Sequence, residues 1–445
     1  MARILIKNAN IVTDNKVFMG DVLIDNQIIE RIDASISDSS ATVVEAHGKY
    51  LIPGIIDDQV HFREPGLTHK ADIFTESRAA LAGGVTSFME MPNVNPLTIT
   101  LNLLEQKYQI AEKNSAVNFS FYLGATNDNI EEIKRVNPKN VCGVKVFMGS
   151  STGDMLVEKQ RALEEIFRDS PTLIATHCEC ETRVKDRQKD FLNQYGENMD
   201  PAMHPVIRDE VACYLSSSLA VELAKRYLSR LHVLHITTAL ELGLFENQTP
   251  LKDKKITAEV CVHHLHFSDE DYATKGNLIK CNPAVKTAKD REALWSGLES
   301  GLLDVIATDH APHTWEEKML PTAKSPSGLP LVQHSLQIMM QKVKEGKLSI
   351  ETMVEKMCHN PAICYQVEKR GFIREGYAAD LVLLSKSPYT VEKSNILYKC
   401  GWSPFENDTF DYSIEKVWVN GSLGFDSNIG LTGNFAGQRL LFDRD

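Results

Sequence analysis

Two rhythms of apolar and polar positions run along the chain. The first fifty residues alternate with period two and break at turn residues, as in ILIKNANIV, DNK and GDVLIDNQIIERI; the last seventy repeat this in DLVLLSKS, SIEKVWVNG and RLLFD. That period predicts short, half-buried strands at both ends of the chain. Between them lie eight short apolar runs: GIIDDQVHF, GVTSFMEM, NFSFYLGA, VCGVKVFM, TLIATH, LHVLHI, ITAEV and DVIATD. Helix-period segments such as LNLLEQKYQIAEKN, ALEEIFRD and ELAKRYL follow several of them. Strand-length runs alternating with helices predict βα units. Eight units over about 310 residues predict an α/β fold of the (β/α)8 barrel type. The connection after His177 is the longest and has room for lid or oligomer elements.

Composition narrows the function classes. A chain of 445 residues can bury a large core, enough for one big α/β domain and a smaller one. Its net charge of -12 argues against nucleic acid or an anionic membrane as the main partner. No apolar run approaches the roughly 20 residues of a membrane span, and MARILIKNANIV lacks the apolar core and cleavage site of a signal peptide. Nine scattered cysteines predict reduced thiols and a cytoplasmic location. Cys178 and Cys180 read as buried thiols, because no second pair has zinc-finger spacing.

In barrels the reactive side chains gather at the C-terminal ends of the strands. Applied to the eight runs, that rule selects His61 and Arg63 after the first, Asn93 after the second and Lys145 in the fourth. It also selects His177 at the end of the fifth, His235 at the end of the sixth, and Asp309 with His310 and His313 after the eighth. Three histidines, a lysine and an aspartate thus point at one mouth. A lone histidine at a strand end is more often simply hydrogen-bonded, so the convergence carries the argument. Lys145 stands in an apolar run, where an unpaired ammonium is costly. Its amine either snorkels to the mouth or takes up carbon dioxide to become an anionic carbamate able to bridge two cations. Asp309 can bind metal and shuttle a proton. Gln59 shares a strand face with His61, and an amide there is a poorer zinc donor than an imidazole. His232 is expected in packing, and His263, His264 and His266 in loop or supporting roles. His47, His69, His204, His334 and His359 are expected on the surface or in structural roles.

The motifs resemble those of the dihydroorotases of the cyclic amidohydrolase superfamily, particularly the long bacterial type. ATDHAPHTWEEK (307–318) is similar to a highly specific family signature, and HFREPG, MPN, KVFMG, THCE, LHITTA, KCNPAV, GYAADLVLL, SPFEN and GQRLLF resemble its successive blocks. The resemblance covers nearly the whole chain. It implies a small β-sandwich built from residues 1–53 and 374–445 beside a metal-dependent barrel of residues 54–373. It implies one or two zinc ions per subunit. His61 and Asp309 would hold one, with Gln59 a weak further ligand, and His177 and His235 the other, with a carboxylated Lys145 between them. Asp309 would be general base and acid. Arg63 and Asn93 would hold a substrate carboxylate, and Asn282 and His313 would contact the pyrimidine ring or its carboxylate. The implied reaction is reversible hydrolysis of L-dihydroorotate to N-carbamoyl-L-aspartate in pyrimidine synthesis. A homodimer and association with aspartate transcarbamoylase are compatible with the resemblance.

Two alternatives remain open on the sequence. Hydantoinases, dihydropyrimidinases and allantoinases share the barrel and metals, but their usual substrates lack the ring carboxylate that Arg63 would hold. An inactive dihydroorotase-like partner of aspartate transcarbamoylase typically has lost several ligands, whereas here only position 59 departs. PSGLPLVQHSL (326–336) is poorer in glycine than the corresponding stretch of many relatives, and Lys286 replaces a common arginine, where a peripheral charge is expected.

Overall fold

The structure is a computed structural model and describes residues 3–149 and 155–444. All eight apolar runs form strands, numbered here around the barrel. They are β1 (Ile55–Val60), β2 (Val85–Glu90), β3 (Asn118–Phe121, continued by Leu123–Gly124), β4 (Val144–Phe147), β5 (Ile174–His177), β6 (Leu231–Val233), β7 (Ile256–Cys261) and β8 (Val305–Ala307). Every neighbouring pair is parallel, with Lys145 opposite Ala175, Phe147 opposite His177 and Cys261 opposite Ala307. A parallel bridge from Val60 to His310 closes the ring. The strand residues are buried almost without exception, as strands covered on both faces must be.

The helices begin where the sequence supplies caps. Thr100 accepts from the Leu103 amide to start Leu101–Asn114, and Asp72 accepts from Thr75 to start Ile73–Ala82. Glu181–Tyr195, His204–Ile207 and Glu210–Tyr227 fill the long connection after β5.

Strands from both termini meet in one nine-stranded sheet. At its centre Tyr50–Pro53 runs antiparallel to Leu381–Ser385, with Leu51 opposite Leu383, and Ile6, Val22 and Trp418 pack into the same core. Tyr50–Pro53 leads directly into β1 through Gly54. A side chain at Gly54 would come within 2.0 Å of Thr86 Oγ1, so only glycine lets the sheet join the barrel this closely.

The terminal run RLLFD departs from expectation. It makes isolated bridges to Phe119 and Val367 of the barrel body. Beside it the buried Arg444 donates to the carbonyls of Val141 at 2.9 Å and Cys142 at 3.0 Å. The guanidinium satisfies carbonyls at the barrel's N-terminal end.

Candidate active site

The ten residues selected from the sequence line one cavity of about 200 Å³ at the C-terminal mouth: Gln59, His61, Arg63, Asn93, Lys145, His177, His235, Asn282, Asp309 and His313. Phe147, Ala311 and the segment Pro326–Gly328 complete its wall. Three of the ten lie just past a strand end with left-handed backbone: Arg63 at φ 69°, His235 at φ 41° and Asp309 at φ 49°. Such angles cost about 1–3 kcal/mol each and persist where the surroundings over-determine them. Here they turn side chains from the barrel wall into the mouth.

On the side of β4 to β6, His177 Nδ1 and His235 Nε2 are 2.9 Å apart. His177 Nε2 lies 3.0 Å from Glu179 Oε2, and Glu179 is paired in turn with Arg208. That pair with Arg208 and His177 overcomes burial and holds the Glu179 carboxyl below its usual range. With His177 donating through Nε2, its Nδ1 lone pair faces the cavity, the arrangement by which a second carboxylate orients a ligand imidazole. The His235 amide donates to Glu259 Oε1 at 3.1 Å, which anchors the left-handed turn. Gly149, the last residue of KVFMG, lies so close to Glu179 that an added side chain would be 1.9 Å from its carbonyl oxygen. Lys145 is buried, with Nζ 4.6 Å from the Phe147 ring centroid, and burial pushes its amine down to about 7.

On the side of β1 and β8, Asp309 Oδ1 collects two contacts. Gln59 Nε2 donates to it at 3.1 Å, and His61 Nε2 lies 3.2 Å away. His61 Nδ1 is 2.9 Å from Asn93 Oδ1. Burial pushes His61 down to about 4, so the ring is neutral near pH 7 and carries one N–H against two acceptor oxygens. With that proton given to Asn93, the Nε2 lone pair opposes Asp309 Oδ1, a repulsion that a cation between them turns into attraction. On the other side, His177 Nδ1 and His235 Nε2 converge at 2.9 Å and share at most one proton, whose loss leaves two imidazole lone pairs for a cation. The donor set therefore fits metal ions on both sides of the mouth.

The remaining wall is cationic. Arg63 Nε donates to the Pro312 carbonyl at 3.1 Å, and Arg63 Nη2 lies 3.1 Å from His313 Nε2. Burial, with Arg63 and Lys70 adding to it, pushes His313 down to about 3. The neutral ring accepts from Lys70 Nζ at Nδ1 (3.0 Å) and gives Nε2–H to the Ser327 carbonyl (3.1 Å). Asn282 Oδ1 is buried and has no hydrogen-bond partner among the described residues.

Some contributors were not singled out from the sequence. Glu179 stood in the THCE block, two residues past His177, where the strand ends. Lys318 stood in the ATDHAPH signature; it is fully buried and donates to the carbonyls of Lys280 (3.2 Å), Pro326 (2.9 Å) and Gly328 (3.0 Å). His232 is not simple packing. It lies 3.2 Å from Asp58 and 3.4 Å from Glu259 inside the barrel, and these carboxylates overcome burial to raise it to about 9. Lys286 is buried rather than peripheral, with Nζ donating to Ala284 O at 3.0 Å. His263, His264 and His266 lie on a short helix, Val262–His266, directly after β7. Among the described residues no helix is long and apolar enough to cross a membrane.

Comparison with known proteins agrees with this geometry. Residues 50–424 match the Amidohydrolase family. A dihydroorotase of Methanosarcina acetivorans is 32% identical, over 95% of this chain and 93% of its own length. One of Carboxydothermus hydrogenoformans is 33% identical, over 90% and 93%. Among solved structures, the L-hydantoinase (dihydropyrimidinase) of Arthrobacter aurescens superposes with a TM-score of 0.93 at 27% identity, covering 99% of this chain and all of that one. A strand-end donor set on a closed eight-stranded barrel, a family match across most of the chain and relatives aligned nearly end to end lead to one assignment: the chain belongs to the amidohydrolase family.

Proposed function

We propose that the protein is a dihydroorotase, opening the ring amide of L-dihydroorotate to N-carbamoyl-L-aspartate and, in pyrimidine synthesis, running toward ring closure. The observation that carries the reading is the position of Arg63 on the cationic wall of the same cavity that holds the metal donors. A planar guanidinium suits a ring carboxylate, and relatives at 31–33% identity bear the dihydroorotase name.

The amidohydrolase family is metal-dependent. The finer assignment is zinc, one or two ions per subunit. His177, His235 and a carboxylated Lys145 would hold one ion, and His61, Asp309 and the same carbamate the other; the Gln59 oxygen, turned toward Cys261, would join as a weak ligand only if the amide turned over. An amine lowered to about 7 is substantially neutral at physiological pH, the form that takes up carbon dioxide. When bound, zinc polarises the amide carbonyl and acidifies water. Asp309 takes the proton of the attacking water and delivers it to the departing ring nitrogen. Arg63 and Asn93 hold the carboxylate, His313 contacts the ring or its carboxylate, and Asn282 Oδ1 accepts from a ring N–H. Residues 1–53 with 374–445 serve as a supporting domain for the barrel at 54–373. The partner is a small molecule, with no nucleic-acid or membrane role; a homodimer and association with aspartate transcarbamoylase are compatible with this reading.

A second reading, hydantoinase, is favoured by the superposition on the L-hydantoinase. Parallel assays on dihydroorotate, hydantoin and allantoin separate the two. Dihydroorotate should be turned over, and Arg63→Lys should raise its KM about tenfold or more by losing the two-pronged contact. Turnover of hydantoin without dihydroorotate would sink the proposal.

A further inference from the structure

We propose that Cys261, His263 and His264 form a separate buried site for a thiophilic divalent cation of the zinc type, directly behind Gln59. One ligand atom from each lies within 4.8 Å of the other two, and all three side chains are buried. They follow one another as Cys-x-His-His where β7 ends at Cys261 and the helix Val262–His266 begins. A single turn of backbone therefore supplies every donor.

The imidazoles are the second, independent observation. At 0% exposure, neither ring nitrogen of His263 has a hydrogen bond of good geometry among the described residues, the ring reaching only toward the Thr308 backbone. His264 Nε2 lies 3.1 Å from the Pro283 carbonyl, while its Nδ1 has no partner. A ring that donates from one nitrogen to a carbonyl and leaves the other bare has the form of a metal-bound histidine. The two rings are 3.9 Å apart. Burial keeps both rings neutral, so each has one N–H and one lone pair: the bare His264 Nδ1 is a lone pair, and His263 offers one from either nitrogen. Buried polar atoms in native proteins are nearly always satisfied, and a cation satisfies these together.

Charge and donor softness point the same way. Burial and the carboxylates Glu259, Asp309 and Asp57 hold the Cys261 thiol far above its usual range. The same negative field favours a cation that displaces the thiol proton to solvent on binding. One thiolate and two imidazoles select zinc-like ions over magnesium or calcium. Gln59 turns its oxygen toward this cluster, with Oε1 3.8 Å from Cys261 Sγ, while its Nε2 faces Asp309. The amide that stands in place of an imidazole at the mouth thus faces both sites. The other buried cluster, Asp58 with His232 and Glu259, holds its own cation in the charged His232 ring and makes no such demand.

The test loads metal-free, full-length protein with Co²⁺. The donors in the catalytic cavity include no cysteine, so a thiolate-to-cobalt charge-transfer band in the near ultraviolet reports a site of the proposed kind, whatever substrate the enzyme takes. The band is expected in the native protein, retained in His177→Ala and lost in Cys261→Ser, which should also retain about one equivalent less zinc after dialysis. Absence of the band from the native protein, a result that needs no variant, would overturn the proposal. So would its survival in a Cys261→Ser protein that melts cooperatively.

Discussion

The two sides of the barrel mouth reach their donor geometry by different means. Between β4 and β6, His177 and His235 face one another, and each is held from behind: His177 by Glu179 with Arg208, and His235 through its amide by Glu259. Between β1 and β8, His61 and Gln59 both lean on Asp309. The first side is preorganised by groups that do not themselves enter the cavity. The second is organised by the carboxylate that must also handle the proton. An amide at position 59 therefore fits structurally, because it supplies a hydrogen bond that keeps Asp309 in place. The consequence falls on metal affinity at that side.

The largest test removes the shared group. Asp309→Asn should lower kcat by about 10²–10⁴-fold, read in steady-state assays alongside metal content; activity within a few-fold of native would remove Asp309 from the proton path. Next, Glu179→Gln should weaken metal on the His177 side by about 10–100-fold, measured by competition with a chelator. An equal loss on both sides would show that the two halves are not supported independently. The reverse change, Gln59→His, should tighten the ion at His61 and Asp309 by roughly tenfold, as an imidazole outranks an amide oxygen. Equal and full occupancy of both positions in the native protein would contradict it.

The smallest effect concerns a histidine outside the mouth. His334 is fully buried, accepts at Nδ1 from the Tyr398 hydroxyl at 3.2 Å, and is pushed by burial down to about 3. Its folded value lies below the unfolded value of about 6.5, so the unfolded chain binds the proton first as pH falls. Stability should drop from about pH 6.5 toward 3, with His334 contributing at most about 1.4 kcal/mol per pH unit. In urea melts, His334→Gln should flatten that acid limb. An unchanged slope would assign the acid sensitivity to the histidines at the mouth.

The barrel was legible because its strands are buried on both faces and so read as unbroken apolar runs, and because strand ends carry the reactive groups. Of the residues chosen on that basis all but His310 line the cavity, and His310 instead faces Glu76 at 2.9 Å. What stayed hidden depends on contacts between distant segments. Nothing near His232 announces Asp58 and Glu259 from two other strands, so an ion-paired ring looked like packing. In the sequence Lys286 reads as a peripheral charge and Lys318 has no assigned role, because the carbonyls that receive them have no side-chain signature. RLLFD has the alternation of a strand, yet the burial of Arg444 beside it draws the segment onto the barrel.

Lys318 has a further consequence for how this site can be re-engineered. Its amino group grips the Lys280 carbonyl, two residues before Asn282, together with those of Pro326 and Gly328 on the facing segment. Two walls far apart in sequence are riveted at one point, so grafting either from a relative with a different ring preference would pull the other out of register. A change of substrate would have to exchange both walls and the lysine together.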